Sequence, residues 1–534
     1  MRADTVLFNA DIHTMDSEVP RAEATALCGS RIMAVGTDSD MLELLCPDGF
    51  TIDCGGRTVV PGFTDCHLHF GSYAVSLQKV SLAGVTSLEE CLERVGARAK
   101  ETASGEWLQG RGWNQSLWEG GKFPNRKHLD RVAPDHPVLL KHNCGHASWV
   151  NSRALDIAGI TRDTPDPEGG EIERDPETGE PTGILKEKAA HIAVSCIPEP
   201  SVEDISETIQ KAMPTAHQAG LTGIHNMEGD PVLRAFQFLL REGDLKLRVL
   251  MQIPDANLDA AVQAGIQTGF GNEMLRIGGV KTFADGALGS RTAYMLEPHE
   301  GEPDNCGIAV STLERMRESF TKANSSSLPV FVHAIGDRAN REMLDIFEEL
   351  RGKGIGGKLR NRIEHVQLLH PDDIPRMSKF GIIASMQPIH CTQDMDMADR
   401  HWGARSSGAY AFKSLLELGT VLAFGSDAPV EDIRPLIGIH AAVTRRRADG
   451  SPGPEGWYPE QRISVEDAVR AYTSNAAYAG GEEDIKGTIS PGKLADLAVL
   501  SENIFEIDPM EIIHTKVIAT MIDGEFVYSS GEIV

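Results

Sequence analysis

Residues 59–70 read Val59-Val60-Pro61-Gly62-Phe63-Thr64-Asp65-Cys66-His67-Leu68-His69-Phe70, and this stretch decides the fold. Its apolar run, introduced by Pro-Gly, predicts a buried β-strand. Successive side chains of a strand point to opposite faces, so His67 and His69 share one face where the apolar run ends. Neutral imidazole is the commonest zinc ligand, and two histidines leave a tetrahedral site incomplete. The stretch therefore predicts a metal site whose other ligands lie elsewhere in the chain.

Size and composition indicate a large globular protein. The chain has 534 residues, 41% hydrophobic and 24% charged, which is enough for a large barrel with an insertion. A net charge of −27 argues against nucleic-acid and anionic-membrane partners, because both are bound by basic patches. The nine cysteines are widely spaced and lack a CxxC pair, which favours reduced thiols. With no signal-type segment and no run of about 18 apolar residues, a cytoplasmic location is expected.

Short strands near both ends of the chain predict one β-sandwich built from two separate segments. Residues 1–60 and 481–534 each contain strand-like runs bounded by turn signals. Neither segment is large enough to bury its apolar faces alone, so the two are expected to pair. Between them, residues 61–480 alternate short apolar strands with helical stretches, which predicts an α/β fold, a TIM (β/α)8 barrel. The expected later barrel strands include 221–225, 275–283, 328–333, 363–366, 382–386 and 421–425.

The stretch from about 75 to 215 is too long for one strand-helix step of a barrel. We expect it to form an inserted subdomain near the barrel mouth. It holds four of the six tryptophans, at positions 107, 113, 118 and 149. These side chains could line a pocket or pack the insertion's own core, and the sequence leaves both possibilities open.

Four further chemically versatile side chains lie at or just after the carboxyl ends of apolar strands. They are Lys281, His333, His365 and Asp427. The carboxyl ends of the strands in a parallel barrel converge on the active site, so these side chains are expected to meet His67 and His69. Nitrogen and carboxylate ligands suit zinc or another borderline divalent ion. The sequence therefore predicts a site for one or two divalent ions, with Zn2+ expected.

Taken in order, these motifs resemble the amidohydrolase superfamily, and specifically its N-substituted formamide deformylase-like branch, amidohydrolase family 3. The resemblance extends over essentially the whole chain. It is carried by residues 61–69, 283–291, 333–338, 363–367, 385–388, 425–430 and 487–500. It implies a metal-dependent hydrolase barrel in which His67 and His69 end strand 1 and bind metal.

The resemblance also implies roles for the later residues. Lys281, on strand 4, would be carboxylated by CO2 and bridge two metals. His333 and His365 would end strands 5 and 6 and bind the second metal. Asp427, after strand 8, would be both a metal ligand and the general base.

These roles are physically sensible. Carboxylation turns a cationic lysine into an anionic carbamate, whereas an ammonium group at position 281 would repel the metals. The alternative is a buried salt-bridged Lys281, which would leave a site with one metal. A bound zinc ion lowers the pKa of its water to about 7 and so generates hydroxide at neutral pH. Asp427 would take the proton and pass it to the leaving nitrogen.

Substrate-binding candidates lie beside these motifs. They are Trp113, His146, His225, Arg291, Asp337 and Gln387. His146 is in a motif that resembles one bordering the family's pocket, and His225 ends the strand expected to be strand 3. Asp337 could orient His333 or bind substrate, with an ordinary ion pair at a helix start as the alternative. Gln387 and His390 follow the expected strand 7 and would line the pocket without touching metal.

The leading prediction is a metal-dependent amidohydrolase that cleaves a C–N bond other than a peptide bond, in a linear amide or an N-acyl or N-formyl amine. A second interpretation is a cyclic-amide hydrolase or an aromatic deaminase, although deaminases of this superfamily usually hold one metal and lack the strand 4 lysine. A third is a non-catalytic scaffold, which the complete set of ligand positions opposes. The expected partner is a small-molecule substrate, and a homodimer is expected from base rates alone.

Overall fold

The computed structural model describes residues 2–533. Its strands are β1 Ala3–Phe8, β2 Asp11–His13, β3 Arg21–Ala22, β4 Ala24–Cys28, β5 Arg31–Gly36, β6 Leu45–Asp53, β7 Thr58–Pro61, β8 Phe63–Leu68, β9 Val80–Ser81, β10 Leu108–Trp113, β11 Val138–His142, β12 Ala147–Val150, β13 Gly170–Arg174, β14 Pro181–Glu187, β15 Leu221–Asn226, β16 Arg248–Pro254, β17 Leu275–Phe283, β18 Val330–Ala334, β19 Arg362–His365, β20 Ile383–Met386, β21 Leu422–Phe424, β22 Leu497–Leu500, β23 Val517–Ile522 and β24 Glu525–Ser529.

The helices are α1 Asp38–Glu43, α2 Phe70–Gln78, α3 Leu88–Glu101, α4 Arg126–Val132, α5 Ser152–Ile157, α6 Lys188–Val194, α7 Val202–Gln218, α8 Val232–Glu242, α9 Leu258–Gln263, α10 Leu313–Ser325, α11 Asp337–Gly352, α12 Ile374–Phe380, α13 Pro388–Trp402, α14 Phe412–Glu417, α15 Pro435–Thr444, α16 Val465–Tyr472 and α17 Ser474–Gly480. The chain divides into two compact units, one of residues 1–73 and 205–534 and the other of residues 74–204. Within the described range, no helix is both long and apolar enough to cross a membrane.

Eight parallel strands form the barrel of the first unit, in the order β8, β15, β16, β17, β18, β19, β20 and β21. Strands such as β15 and β19 are buried along their whole length, as expected where helices cover a parallel sheet. The last strand is tied to the first because the Asp65 carboxylate accepts hydrogen bonds from the Ser426 amide and hydroxyl. The predicted α/β class with a TIM barrel is confirmed.

The barrel contains a strand that is missing from the expected set. Strand β16 begins with Arg248, a charged residue that hides the apolar run after it. It lies between β15 and β17, and β15 lies directly beside β8. The prediction that His225 ends strand 3 was therefore wrong, because β15 is the second barrel strand.

The two terminal segments share one sandwich. One sheet has the order β5, β4, β1, β6, and the other has the order β24, β23, β22, β7, β2, β3. In the second sheet, β7 from the N-terminal segment pairs antiparallel with β22 from the C-terminal segment. Leu7 and Leu27 of one sheet share a buried core with Ile12, Val59 and Leu497 of the other. The apolar faces of both segments are therefore buried together.

Arg248 connects the barrel to this sandwich. Its side chain is 2% exposed and binds Asp496 through two hydrogen bonds of 2.6 and 2.8 Å, and it reaches Asp523 at 2.6 Å. We expect Arg248→Ala to lower the free energy of unfolding by about 2 to 3 kcal/mol, because Asp496 is left buried without its cation. Denaturant unfolding would measure this loss. Arg241→Ala, which removes an exposed ion pair with Glu242, is the control, and an equal effect of both variants would contradict the prediction.

Residues 74–204 form a unit with their own sheet, in the order β13, β14, β12, β11, β10, β9. Three of the insertion's tryptophans, Trp113, Trp118 and Trp149, are buried in the hydrophobic core of this unit. Their rings pack edge to face or tilted, with centroids 5.9 to 6.4 Å apart. The sequence left open whether the tryptophans line a pocket or pack the insertion's own core, and these three side chains pack the core.

Candidate active site

Three predicted metal ligands converge at the carboxyl end of the barrel. One ligand atom from each of His67, His365 and Asp427 lies within 4.8 Å of the other two, and all three residues are buried. His69, whose side chain is 31% exposed, places Nε2 3.4 Å from Asp427 Oδ1. The strand ends thus bring imidazoles from both halves of the sequence to one carboxylate.

His333 and Lys281 border the same cluster. The His333 ring centroid is 4.5 Å from that of His365. Lys281 is buried on β17, its Nζ has no hydrogen-bond partner, and it lies 4.9 Å from the centroid of the Phe283 ring. Burial and, after it, the charge of Lys281 lower the pKa values of His67 and His333. The six predicted ligand positions therefore occupy one region of the barrel.

Backbone conformation at the strand ends turns two of these side chains toward the cluster. His365 has φ +74° and the following Val366 has φ +46°. Asp427 has φ +59°. Non-glycine residues in this left-handed region are strained, and such strain concentrates at functional sites.

Two of the imidazoles, those of His67 and His365, are fixed through Nδ1. His67 Nδ1 lies 2.6 Å from Glu364 Oε2, and His365 Nδ1 lies 2.8 Å from Gln387 Oε1. Both acceptors select the Nδ1–H tautomer and leave Nε2 with a free lone pair. Hydrogen-bond partners of this kind orient metal-binding histidines.

The carbonyl oxygen of Gly286 holds His333 through Nε2, whereas His67 and His365 are held through Nδ1. It lies 2.9 Å from His333 Nε2, so the Nε2–H tautomer is selected and the Nδ1 lone pair is free. His333 can therefore offer Nδ1 to an ion, whereas His67 and His365 can offer Nε2.

A buried chain of polar groups supports His67 from inside the barrel. Glu364 also accepts a hydrogen bond of 2.8 Å from Arg362 Nε, and Arg362 Nη1 donates to His225 Nδ1 at 2.8 Å. Arg362, Glu364 and His225 are each 0% exposed. Although burial alone would raise it, Arg362 and His67 lower the pKa of Glu364 well below its ordinary value. A permanent carboxylate therefore holds His67.

The other carboxylate oxygen of Asp427 contacts the imidazole of His390. His390 Nε2 lies 3.3 Å from Asp427 Oδ2, and His390 Nδ1 lies 3.3 Å from Glu431 Oε1. Burial opposes the charged form of His390, but these carboxylates outweigh it and raise its pKa to about 10. Burial would likewise raise the pKa of Asp427, but its hydrogen bonds from His390 and His69 hold it well below its ordinary value. Asp427 is therefore an anion at neutral pH.

Burial and charge keep His67 and His333 uncharged and bring Lys281 closer to its neutral form. Burial, together with the charge of Lys281, lowers the pKa of His67 to about 4 and that of His333 to about 3. Burial also lowers the pKa of Lys281 to about 8. Neutral imidazole is the form that binds metal, and neutral amine is the form that reacts with CO2.

The donor set fits divalent metal ions. The free lone pairs of the oriented imidazoles and the Asp427 carboxylate are the ligands that zinc-class ions prefer. The unpartnered Lys281 Nζ is a buried polar atom, and such atoms normally have a partner.

Two of the substrate candidates prove to be supports instead. Gln387 holds His365, and its Nε2 is buried without a partner. His225 lies beneath the cluster at the end of the buried chain to His67, fully enclosed by the barrel. The sequence places both residues at strand ends but cannot show that His225 Nδ1 and Gln387 Oε1 are hydrogen-bonded to neighbouring protein groups.

Two further substrate candidates, Trp113 and His146, lie in the unit formed by residues 74–204. Trp113 does not line a pocket, because it is buried in the core of residues 74–204 and its Nε1 donates to the Leu140 carbonyl at 2.9 Å. His146 is exposed, 3.1 Å from Glu187, beside a cavity of about 330 Å3 in the same unit.

Arg291 lies in a loop that follows β17, and Asp337 lies at the start of α11. Arg291 is half-exposed and forms an ion pair with Glu302. Asp337 opens α11, where its buried carboxylate accepts the amide hydrogens of Leu296 and Arg338 and borders a cavity of about 730 Å3. Among the described residues, the hydrogen bonds of Asp337 go to these amides and that of His333 goes to the Gly286 carbonyl, so a role of Asp337 in orienting His333 or binding substrate stays a prediction.

Buried acids that hold the site together escaped the sequence interpretation. Asp65 binds the His67 amide and Ser426, and Asp285 accepts amide hydrogens from Tyr294, Ile335 and Gly336. Burial raises the pKa of each carboxyl to about 7. Their signal was an acidic residue within or directly after an apolar strand, close to a ligand in sequence, as is also true of Glu364.

Comparisons with known proteins agree with this geometry. A family model described as amidohydrolase family matches residues 51–528. Protein LONG AFTER FAR-RED 3 of Arabidopsis thaliana is 34% identical over 98% of this chain and 92% of its own length. N-substituted formamide deformylase of Arthrobacter pascens is 28% identical over 98% of both chains. The crystal structure of an uncharacterised metal-dependent hydrolase from Pyrococcus furiosus is 31% identical, covers 94% of this chain and all of its own, and superposes with a TM-score of 0.76.

Proposed function

Because the chain belongs to the amidohydrolase family, we propose that it is a zinc-dependent hydrolase of a linear N-formyl or N-acyl amine, with Asp427 as general base and acid. The observation that carries the proposal is the convergence of His67, His365 and Asp427 within 4.8 Å. The formyl preference is supported by the name of the Arthrobacter pascens relative, which specifies N-substituted formamides. Membership of the amidohydrolase family and the similarity to a metal-dependent hydrolase support hydrolysis of a C–N bond.

The proposed ligand set uses groups from five barrel strand ends. His67, His69, His333, His365 and Asp427 would hold the ions, with a carboxylated Lys281 between them. Zinc-class ions there would polarise the scissile carbonyl and lower the pKa of bound water. The protein's contribution is to keep His67, His333 and His365 neutral and oriented and the Asp427 carboxylate ionised.

Asp427 is placed to move a proton. Its Oδ1 faces His67 and His69, and its Oδ2 is held by His390. In the proposed reaction it accepts a proton from the water that attacks the carbonyl carbon. It then gives that proton to the nitrogen as the C–N bond breaks, which releases a carboxylic acid and an amine.

Metal content and activity test the proposal together. Protein prepared without chelator is expected to contain about two zinc-class ions per chain and to release amines from N-formyl and N-acyl amines. Chelation should abolish this release, and added Zn2+ should restore it. One ion with ammonia release from an amino-heterocycle would instead establish the deaminase interpretation. No ion and no hydrolysis would contradict the proposal.

Lys281 offers a separate prediction. We expect a carboxyl group on its Nζ, formed when the neutral amine attacks CO2 and loses a proton, visible by crystallography or by mass measurement that preserves the carbamate. Lys281→Ala should lose bound metal and activity, and a short carboxylic acid such as propionate should partly restore both by occupying the vacated space. Lys281→Met is the matched control, because its side chain fills that space. An unmodified lysine beside a single fully occupied metal in an active enzyme would contradict the carbamate.

A further inference from the structure

A thiol, an imidazole and an amide are lined up on the surface of the unit formed by residues 74–204. Cys144 Sγ lies 2.8 Å from His142 Nδ1, and His142 Nε2 lies 3.0 Å from Gln115 Oε1. Cys144 is exposed. This is the order of a nucleophile, a base and a group that orients the base. None of the three residues belongs to the proposed hydrolase site.

We propose that Cys144 is a reactive thiol that forms mixed disulfides with low-molecular-weight disulfides, with His142 as its base and Gln115 as the residue that positions His142. Thiol–disulfide exchange requires an accessible thiol that can lose its proton, because the thiolate is the attacking species. Both requirements are met by the exposure of Cys144 and by its contact with an imidazole nitrogen.

The hydrogen bonds define which nitrogen acts as the base. The side-chain oxygen of Gln115 can only accept, so His142 Nε2 carries the hydrogen. The backbone amide of Cys144 donates to His142 Nδ1 at 3.1 Å, which requires a lone pair on Nδ1. These two hydrogen bonds select the tautomer whose Nδ1 lone pair faces Cys144.

Packing fixes the ring of His142. It meets the edge of the Trp113 ring at a centroid distance of 4.5 Å and an interplanar angle of 83°. Trp113 is itself buried in the core of the unit, and its carbonyl accepts the amide of Asn143. His142 is therefore held in place at the end of β11, and Cys144 lies in the turn that follows this strand.

The exchange itself follows the ordinary chemistry of thiols and disulfides. The thiol proton moves to His142 Nδ1, and the Cys144 sulfur attacks one sulfur of the small disulfide. A new S–S bond forms as the old one breaks, and the departing thiolate takes up a proton. One protein thiol and one small disulfide thus give one mixed disulfide and one small thiol.

Peptide-level mass spectrometry of the full chain can measure the rate at each cysteine. Iodoacetamide should alkylate Cys144 at least about tenfold faster than the half-buried Cys306 in the same molecule. Glutathione disulfide should add a glutathione group at Cys144, and excess thiol should remove it. Equal alkylation rates at the two cysteines, or no adduct at Cys144, would overturn the proposal.

Variants show whether fast alkylation of Cys144 depends on a positioned base or only on the exposure of the thiol. His142→Gln should slow alkylation at Cys144 about tenfold, and Gln115→Ala should slow it less, with Cys306 unchanged in both. Gln115→Glu keeps an acceptor for Nε2–H and should preserve the fast reaction. Cys91, buried in the core of the same unit, reports unfolding if it becomes labelled. If labelling of Cys91 shows that His142→Gln unfolds the unit, the Gln115→Ala variant becomes the test. An unchanged alkylation rate at Cys144 in Gln115→Ala would then overturn the proposal.

Discussion

Asp427→Asn is expected to reduce kcat by about 100-fold or more while the protein stays folded. The amide occupies the same space and still contacts His390, but it cannot accept the proton that the carboxylate would take. Steady-state hydrolysis of an N-formyl amine would measure the loss, with the metal content of the variant determined in parallel. A loss of turnover at normal metal content would assign the effect to proton transfer.

The matched control is Asp432→Asn, on the same loop, where the carboxylate pairs with Arg434 instead of the histidines. This variant should keep nearly normal turnover. Near-normal turnover in Asp427→Asn would exclude its role as general base.

Glu364→Ala is expected to lower the free energy of unfolding by about 3 to 5 kcal/mol. The substitution removes the carboxylate from a fully enclosed pair and leaves the Arg362 guanidinium buried without an anion. Denaturant unfolding of metal-free protein would measure this effect without any contribution from bound ions. Glu349→Ala, which removes an acid that pairs on the surface with Arg317 and Lys353, should cost far less.

Glu364→Gln tests the positioning of His67 separately from folding. The amide oxygen can still accept from His67 Nδ1, but the negative charge that strengthens this hydrogen bond is gone. We expect about 10- to 100-fold weaker retention of metal, measured by competition with a chelator. Unchanged retention would show that the carboxylate serves the fold alone.

The sequence predicts the barrel well because short apolar strands and their turn signals are local features. The segment from Leu275 to Phe283 was predicted with both ends correct. The pair His67 and His69 was identifiable because strand alternation alone places them on one face. Strand β16 was missed because Arg248 at its start is charged, and only the tertiary partners Asp496 and Asp523 make its burial possible.

The contacts that hold the site together could not be predicted from the local sequence pattern. Regular alternation would place His365 and its neighbour Glu364 on opposite faces of β19, yet Glu364 reaches His67 and His365 joins the ligand cluster. The positive φ of His365 breaks the alternation, and no residue type at that position announces it. Glu364 and His67 are also far apart in sequence, so their contact emerges only when the barrel closes.

The pairing of β7 with β22 has a consequence for how the chain is made. Residues 62–496 separate these two strands, and β7 leads through Gly62 directly into β8. At about 5 to 20 residues per second, a ribosome needs on the order of half a minute or more between the two strands. Throughout that interval the apolar faces of the first strands lack their partners. A nascent chain of this protein should therefore depend on chaperones until translation is nearly complete.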